Sequence, residues 1–338
     1  MWLLWLLPLV AAYPGLYTSK CLSGCRCNSN TIECLNLQNR NASFLREISE
    51  ITHPNLEYLF ITGAEFLDLP EKNVFGIYTH KKLRHVNFTD CRITSIGANS
   101  FSGMPNLEFL YISQNPIREV SIHALGNLKR LEYIDLSDVF NAERLNNAKV
   151  IKDIFSVDLP RLQSVYLRGN NIRDNIGGVF CHFPNLLTLD LSENRLTEFS
   201  MPKDCNSRLS QLNLAHNDFT SFPEGFDRLR QLDLHNNPLD CSSIKQYSDR
   251  LKTLERINAT YCETPSELNG LSLDTVIAME KQTSSLVKLL ITVSAVVVIV
   301  IMIGLLFHVA KCKRNSSQKD IRYNLVQMQE HALEPEFL

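Results

Sequence analysis

Hydrophobic positions recur through the middle of the chain in one frame, L-x-x-L-x-L-x-x-N-x-L. The clearest copy is LLTLDLSENRL, with Leu186, Leu189, Leu191, Asn194 and Leu196 in the set places. Other copies start at Leu107, Leu162, Leu209 and Leu229, and looser ones at Leu56, Leu83 and Leu131. The eight starts are spaced by 27, 24, 24, 31, 24, 23 and 20 residues. Each L-x-L triplet predicts a short strand with alternate side chains inward. One such unit cannot bury its leucines alone, but stacked neighbours can. The pattern therefore predicts an α/β repeat fold. It is a solenoid with a parallel β-sheet on its concave face, roughly 40 Å long at about 4.8 Å per strand.

Polar exceptions to the frame refine this picture. Asn115, Asn170, Asn194, Asn217 and Asn237 fill the Asn slot, where an amide can satisfy backbone groups as the chain leaves the strand. Ala64, Cys91 and Val139 replace it, predicting a weaker ladder toward the N-terminus. Phe75, Phe101, Leu125 and Phe226 recur ahead of the next repeat and are expected to pack the convex side. The step of 31 inserts FNAERLNNAKVIKDIF, which reads as a short helix on the convex edge or a projecting loop.

The frame stops before two apolar runs at the ends. MWLLWLLPLVAA has Val10 and Ala12 where a signal peptidase takes small side chains, although no positive charge follows Met1. Leu289–Ala310 is 22 residues without a charge. At 1.5 Å per residue it spans roughly 33 Å, enough for a hydrocarbon core of about 30 Å. Lys311, Lys313, Arg314, Lys319 and Arg322 follow it, against Lys281 and Lys288 before it. That asymmetry predicts a plasma-membrane protein of type I, crossing once, with its N-terminal part extracellular.

On the repeat frame, the chain resembles extracellular leucine-rich-repeat membrane proteins from about Cys21 to Leu273, together with the spanning helix. CLSGCRCNSNTIEC resembles the N-terminal cysteine cap of that family, which implies Cys21–Cys27 and Cys25–Cys34 pairs. Four cysteines alone allow three connectivities, and a zinc cluster is the other reading. The family's C-terminal cap opens with C-x-C and closes with two later cysteines. Here Ser243 takes the second place and only Cys262 follows, so the resemblance implies a reduced cap with one Cys241–Cys262 bridge. Ile244, Tyr247, Leu251 and Leu254 share a helical face able to cover the last repeat. Cys181 and Cys205, 24 residues apart, read either as a bridge between neighbouring coils or as two buried thiols. Cys91, in an Asn slot, is expected to be buried and free.

The expected organisation is a signal peptide at 1–12 (its end reaching up to 19) and an N-terminal cysteine cap at 20–55. Eight repeats at 56–239 and a C-terminal cap at 240–273 follow. A stalk at 274–288, a transmembrane helix at 289–310 and a cytoplasmic tail at 311–338 complete it. Asn41, Asn87 and Asn258 begin N-glycosylation acceptors, Asn87 on the concave face; the NSS at Asn315 falls on the cytoplasmic side. Cys312 is a candidate for palmitoylation or an ordinary juxtamembrane thiol. Tyr323 and Val326 in YNLV resemble a tyrosine-based sorting signal, and the final EFL resembles a ligand for carboxylate-binding domains. The rest of the tail reads as polar and disordered.

Side chains between the inward leucines face the concave side, and their aromatics concentrate in the first five repeats. The candidate partner contacts are Tyr58, Phe60, His85, Phe109, Tyr111, Tyr133, Asp135, Tyr166, Arg168 and Asp190. The bland reading is that aromatics suit strand surfaces. A net charge of −2 supplies no basic face for nucleic acid. The sequence has no G-x-S-x-G, H-E-x-x-H or phosphate loop, and its nine histidines show no metal spacing. No cofactor, small-molecule substrate or enzyme activity is expected. The reading is a recognition or adhesion receptor for a protein ligand on another cell or in the matrix. The rival, from a resemblance in size and layout to leucine-rich-repeat subunits of potassium channels, is an auxiliary subunit of a channel or receptor in the same membrane. There the spanning helix would carry the contact.

Overall fold

The computed structural model describes residues 21–140, 147–202, 205, 208–223, 228–251, 253–257 and 260–331. The chain divides into two compact units, Met1–Val276 and Ile277–Leu338. The first is a solenoid built on an eleven-stranded sheet. Eight of its strands start two residues after the eight repeat starts: Tyr58–Ile61, His85–Asn87, Phe109–Tyr111, Tyr133–Asp135, Ser164–Tyr166, Thr188–Asp190, Gln211–Asn213 and Gln231–Asp233. They pair in parallel with residues of the same repeat phase opposite one another. Leu59, Val86, Leu110, Ile134, Val165, Leu189, Leu212 and Leu232 at the strand centres are buried. Their neighbours on either side face out, as the two-residue period of a strand requires.

The Asn slots bind the coils to one another. Asn194 Oδ1 accepts from the N–H groups of Asn170 and Ile172, each at 3.0 Å, while Nδ2 donates to the carbonyls of Leu167 and Leu191. One buried amide thus satisfies backbone groups of two consecutive coils, which would otherwise be costly to bury. Asn115, Asn217 and Asn237 repeat the arrangement. Where Val139 takes the slot, its backbone carbonyl accepts the Ile117 N–H at 3.0 Å, and Asn147 donates to the carbonyls of Phe140 and Asn170. Asn147 opens the helix Asn147–Ile154, whose Ala148, Ile151 and Ile154 are buried. The described part of the insertion is therefore a docked helix; its residues 141–146 lie outside the described residues. Phe75, Phe101 and Leu125 are buried in the core, and Phe226 also lies outside the described residues.

Both ends of the sheet gain strands that lack the leucine frame. Arg26–Cys27 and Thr31–Cys34 form an antiparallel pair, the second strand running parallel to Tyr58–Ile61. Arg26–Cys27 is fixed by the Cys21–Cys27 bridge and Thr31–Cys34 by Cys25–Cys34. At the other end Arg256–Ile257 pairs with Gln231 and Leu232. The helix Ile244–Leu251 buries Ile244 and Leu251 there, and Tyr247 packs on Phe222 with ring centroids 5.1 Å apart. A Cys241–Cys262 bridge closes this cap. Cys181 and Cys205 are also bridged, with Cα atoms 4.9 Å apart.

The second unit is helical. One helix runs from Leu273 to His331, and its Leu273–Lys311 part is long and apolar enough to cross a membrane. The segment read as a stalk and the tail as far as His331 are helical, which departs from the disorder expected of the tail. The run Leu273–His331 contains no proline and only Gly304, so nothing in it interrupts the backbone ladder.

Candidate functional site

The outward side chains of the sheet form two columns, fixed by strand register. Tyr58, His85, Phe109, Tyr133 and Ser164 stand opposite one another in the first. Phe60, Asn87, Tyr111, Asp135, Tyr166 and Asp190 stand in the second. The rings of the first column stack from coil to coil. Tyr58 and His85 lie 4.7 Å apart between centroids, and His85 and Phe109 4.2 Å apart with planes within 4°. Tyr133 joins the columns, 6.0 Å from Phe109, 4.8 Å from Tyr111 and 5.0 Å from Tyr166. A continuous aromatic tract therefore crosses the first five repeats, each ring half-buried. Phe60 stands beside it, 6.4 Å from Tyr58.

The environment keeps this tract uncharged. Burial and then the Asp135 carboxylate push the Tyr111 and Tyr133 hydroxyls upward, and burial with Asp190 does the same for Tyr166. Burial lowers His85, so its ring is neutral at pH 7.

Asp135 and Asp190 behave differently from the rings beside them. Asp135 Oδ1 accepts from the N–H of Ser137 at 2.9 Å, and Asp190 Oδ1 from the N–H and hydroxyl of Ser192 at 2.8 and 2.6 Å. Asn87, Asn213 and Asp233 close the same turn in their own repeats. One oxygen of each is thus committed to the local backbone, and Asp190 Oδ2 also receives Asn213 Nδ2 at 3.0 Å. Arg168 lies at the rim, off the sheet. Its guanidinium donates to both oxygens of Glu193 at 2.6 and 2.7 Å and lies 3.8 Å from Asp138. The hydrogen bond to Glu193 raises its pKa further. Gly169 follows at a φ of 70°, and a Cβ there would come within 2.0 Å of Asp138 Oδ1.

The last repeats carry a feature that sequence reading passed over. Tyr166, Asp190, Gln211, Asn213, Gln231 and Asp233 line a shallow depression of about 230 Å³ on the polar half of the sheet. The signal for it is the run of short polar residues at outward positions, which leaves space where the first repeats carry rings.

The remaining candidates lie away from the face. Asn41 is exposed and caps the turn Ala42–Glu47, its Oδ1 accepting from the Ser43 N–H at 3.0 Å. Asn87 lies within the aromatic tract, between Phe60 and Tyr111 in register. Asn258 lies outside the described residues, as do the leader 1–19 and the final EFL. Cys312, Tyr323 and Val326 fall on the helix Leu273–His331. Cys91 is a buried free thiol, pushed up to about 12 by burial.

The architecture is a cysteine-capped repeat solenoid presenting a broad patterned sheet. The leucine-rich-repeat family model matches residues 81–138, 144–196 and 160–219. Lumican of Mus musculus is 32% identical over 171 residues, covering 49% of this chain and 47% of lumican. The chain thus spans about half the length of that relative. Lumican of Oryctolagus cuniculus is 32% identical over 146 residues, covering 42% of this chain and 70% of that one. The crystal structure of human 5T4, the trophoblast glycoprotein, superposes with a TM-score of 0.63 at 23% identity, covering 75% of this chain and 96% of that one. That likeness shows the shared fold. The chain belongs to the leucine-rich-repeat family.

Proposed function

We propose that this is a cell-surface receptor whose concave face binds a protein partner on another cell or in the matrix. The observation that carries the reading is the aromatic tract, continuous over five coils and half-exposed on the concave face. Exposed, contiguous rings of this kind are typical anchors of protein interfaces. Charge favours a basic partner. Three arginines on or beside the sheet are matched by acids: Arg84 by Glu108, Arg168 by Glu193, and Arg230 by Glu255. Glu57, Glu132, Asp135 and Asp190 make no ion pair among the described residues. The face is left net acidic, which steers and orients a cationic partner.

In this reading residues 1–12 are removed as a signal peptide and 274–288 set the solenoid off the bilayer. The helix over 289–310 spans the membrane once, and 311–338 face the cytoplasm, sorted through Tyr323 and Val326 and anchored further at Cys312. A glycan on Asn41, on the turn Ala42–Glu47, leaves the face open, whereas one on Asn87 would shield it; Asn258 is the third acceptor.

The test is staining of cells with a clustered, secreted ectodomain, residues 20–280, carrying native glycans. Clustering raises weak single contacts by avidity. Saturable staining that falls as ionic strength rises is expected. No staining by a folded ectodomain would move the function to the spanning helix and a partner in the same membrane.

A further inference from the structure

His216 and His235 stand on consecutive coils at the rim of the concave sheet. The backbone N–H of His216 donates to the carbonyl of His235 at 2.9 Å, so the two residues are tied in register. Their Nε2 atoms lie 3.1 Å apart, with rings at 81° and centroids 4.7 Å apart. Two nitrogens bound to one tetrahedral ion at about 2.0–2.1 Å would be about 3.3–3.4 Å apart. The observed spacing is within a few tenths of an ångström of that separation.

The outer partners fit the same chemistry. His235 Nδ1 lies 2.5 Å from Asp233 Oδ1, and that oxygen also accepts the His235 backbone N–H at 3.1 Å. A carboxylate there holds the proton on Nδ1 and turns the lone pair of Nε2 outward, toward His216. The Asn236 amide lies alongside the His216 ring, its Nδ2 3.1 Å from Nε2 and 3.3 Å from Nδ1. With the proton of His216 on Nδ1, both imidazoles aim lone pairs into the same gap, an arrangement that repels unless a proton or a cation fills it.

We propose that His216 and His235 form a two-histidine site for a divalent transition metal of the zinc type, with Asp233 as the positioning residue for His235. Imidazole nitrogen suits zinc, copper and nickel over calcium and magnesium. Among the described residues no group of three or more His, Cys, Asp or Glu side chains could hold a metal ion. Water therefore completes the coordination, leaving positions open to exchange. The site stands on the last two repeats, apart from the aromatic tract, and does not rest on the receptor reading.

The experiment is calorimetric titration of Zn²⁺ into the full chain in detergent, made without a polyhistidine tag. One saturable site is expected. His216→Ala and His235→Ala should each weaken it at least tenfold, and Asp233→Asn about 10–100-fold, the usual cost of losing an outer partner. Thermal melts check that the variants fold. A readout on the unmutated chain stands beside them: Zn²⁺ should protect His216 and His235 from diethyl pyrocarbonate, as read by mass spectrometry. No saturable binding, affinity unchanged in the His216→Ala/His235→Ala double variant, or no protection would overturn the proposal. The pair would then be an N–H···N hydrogen bond alone.

Discussion

The first five coils and the last three differ both inside and outside. In the last three, Asn194, Asn217 and Asn237 each tie a coil to the one before, and the outward positions are short and polar. In the first five, Ala64, Cys91 and Val139 leave the ladder incomplete, and the outward positions carry stacked rings. A cross-strand aromatic pair stabilises a sheet by about 0.2–1 kcal/mol. An amide serving several buried backbone groups is worth more, since each group left bare costs about 1–3 kcal/mol. The rings therefore do not replace the missing amides. The difference teaches that cohesion and recognition occupy separate columns of this repeat, and that the less cohesive half carries the surface suited to a partner.

The comparison breaks most strongly at the ladder. Asn194→Ala leaves the N–H groups of Asn170 and Ile172 without an acceptor, and should cost about 2–5 kcal/mol in the denaturant midpoint of the ectodomain. Tyr58→Ala, which removes one stacked pair at the edge of the tract, should cost about 1 kcal/mol or less by the same measurement. Equal losses would erase the distinction between the columns.

Acid should sharpen it next. His53 in the N-terminal cap and His80 in the first coil are buried, and burial lowers the pKa of both. His80 Nε2 meets the Ile48 carbonyl at 3.1 Å, whereas His53 Nε2 has no hydrogen-bond partner among the described residues. A folded pKa below the unfolded value of about 6.5 means that the unfolded chain binds more protons. The stability these residues confer is complete above that value and declines as pH falls through it. Hydrogen exchange at pH 7.4 and 5.0 should show loss of protection in the N-terminal cap and coil one, with the last three coils less affected.

The smallest effect concerns Cys91. Its thiol is buried and pushed up to about 12, so alkylation of the folded chain at pH 8 should be far slower than of a free thiol and should follow unfolding. Rapid labelling would show that the N-terminal coils open more readily than their packing implies.

Much of this arrangement was legible in the sequence because the leucine frame reports strand phase directly. Each strand of the eight repeats begins one residue before its L-x-L triplet, and the outward columns follow from alternation alone. The strands Arg26–Cys27, Thr31–Cys34 and Arg256–Ile257 were not legible, since they join the sheet through backbone pairing without leucines. Asn147 was hidden for a related reason: an insertion carries it to the ladder from outside the frame. Spacing left Cys181 and Cys205 open between a bridge and two thiols, and the coil geometry brings their Cα atoms to 4.9 Å. Asp135 and Asp190 look like partner contacts by column, yet each spends an oxygen on its own turn, which only the backbone conformation reveals. His216 and His235 sit one residue out of phase between repeats, so no motif spacing flags them.

The central claim is that the aromatic half of the concave face, and not the polar half, carries recognition. The most direct test compares two double variants of the clustered ectodomain in cell staining, Tyr111→Arg/Tyr133→Arg and Gln211→Arg/Gln231→Arg, with matched melting temperatures as a check on folding. The account predicts that the first abolishes saturable staining and the second leaves it within about twofold, a change of under 0.5 kcal/mol. Staining retained by the first variant, or lost only in the second, would contradict it.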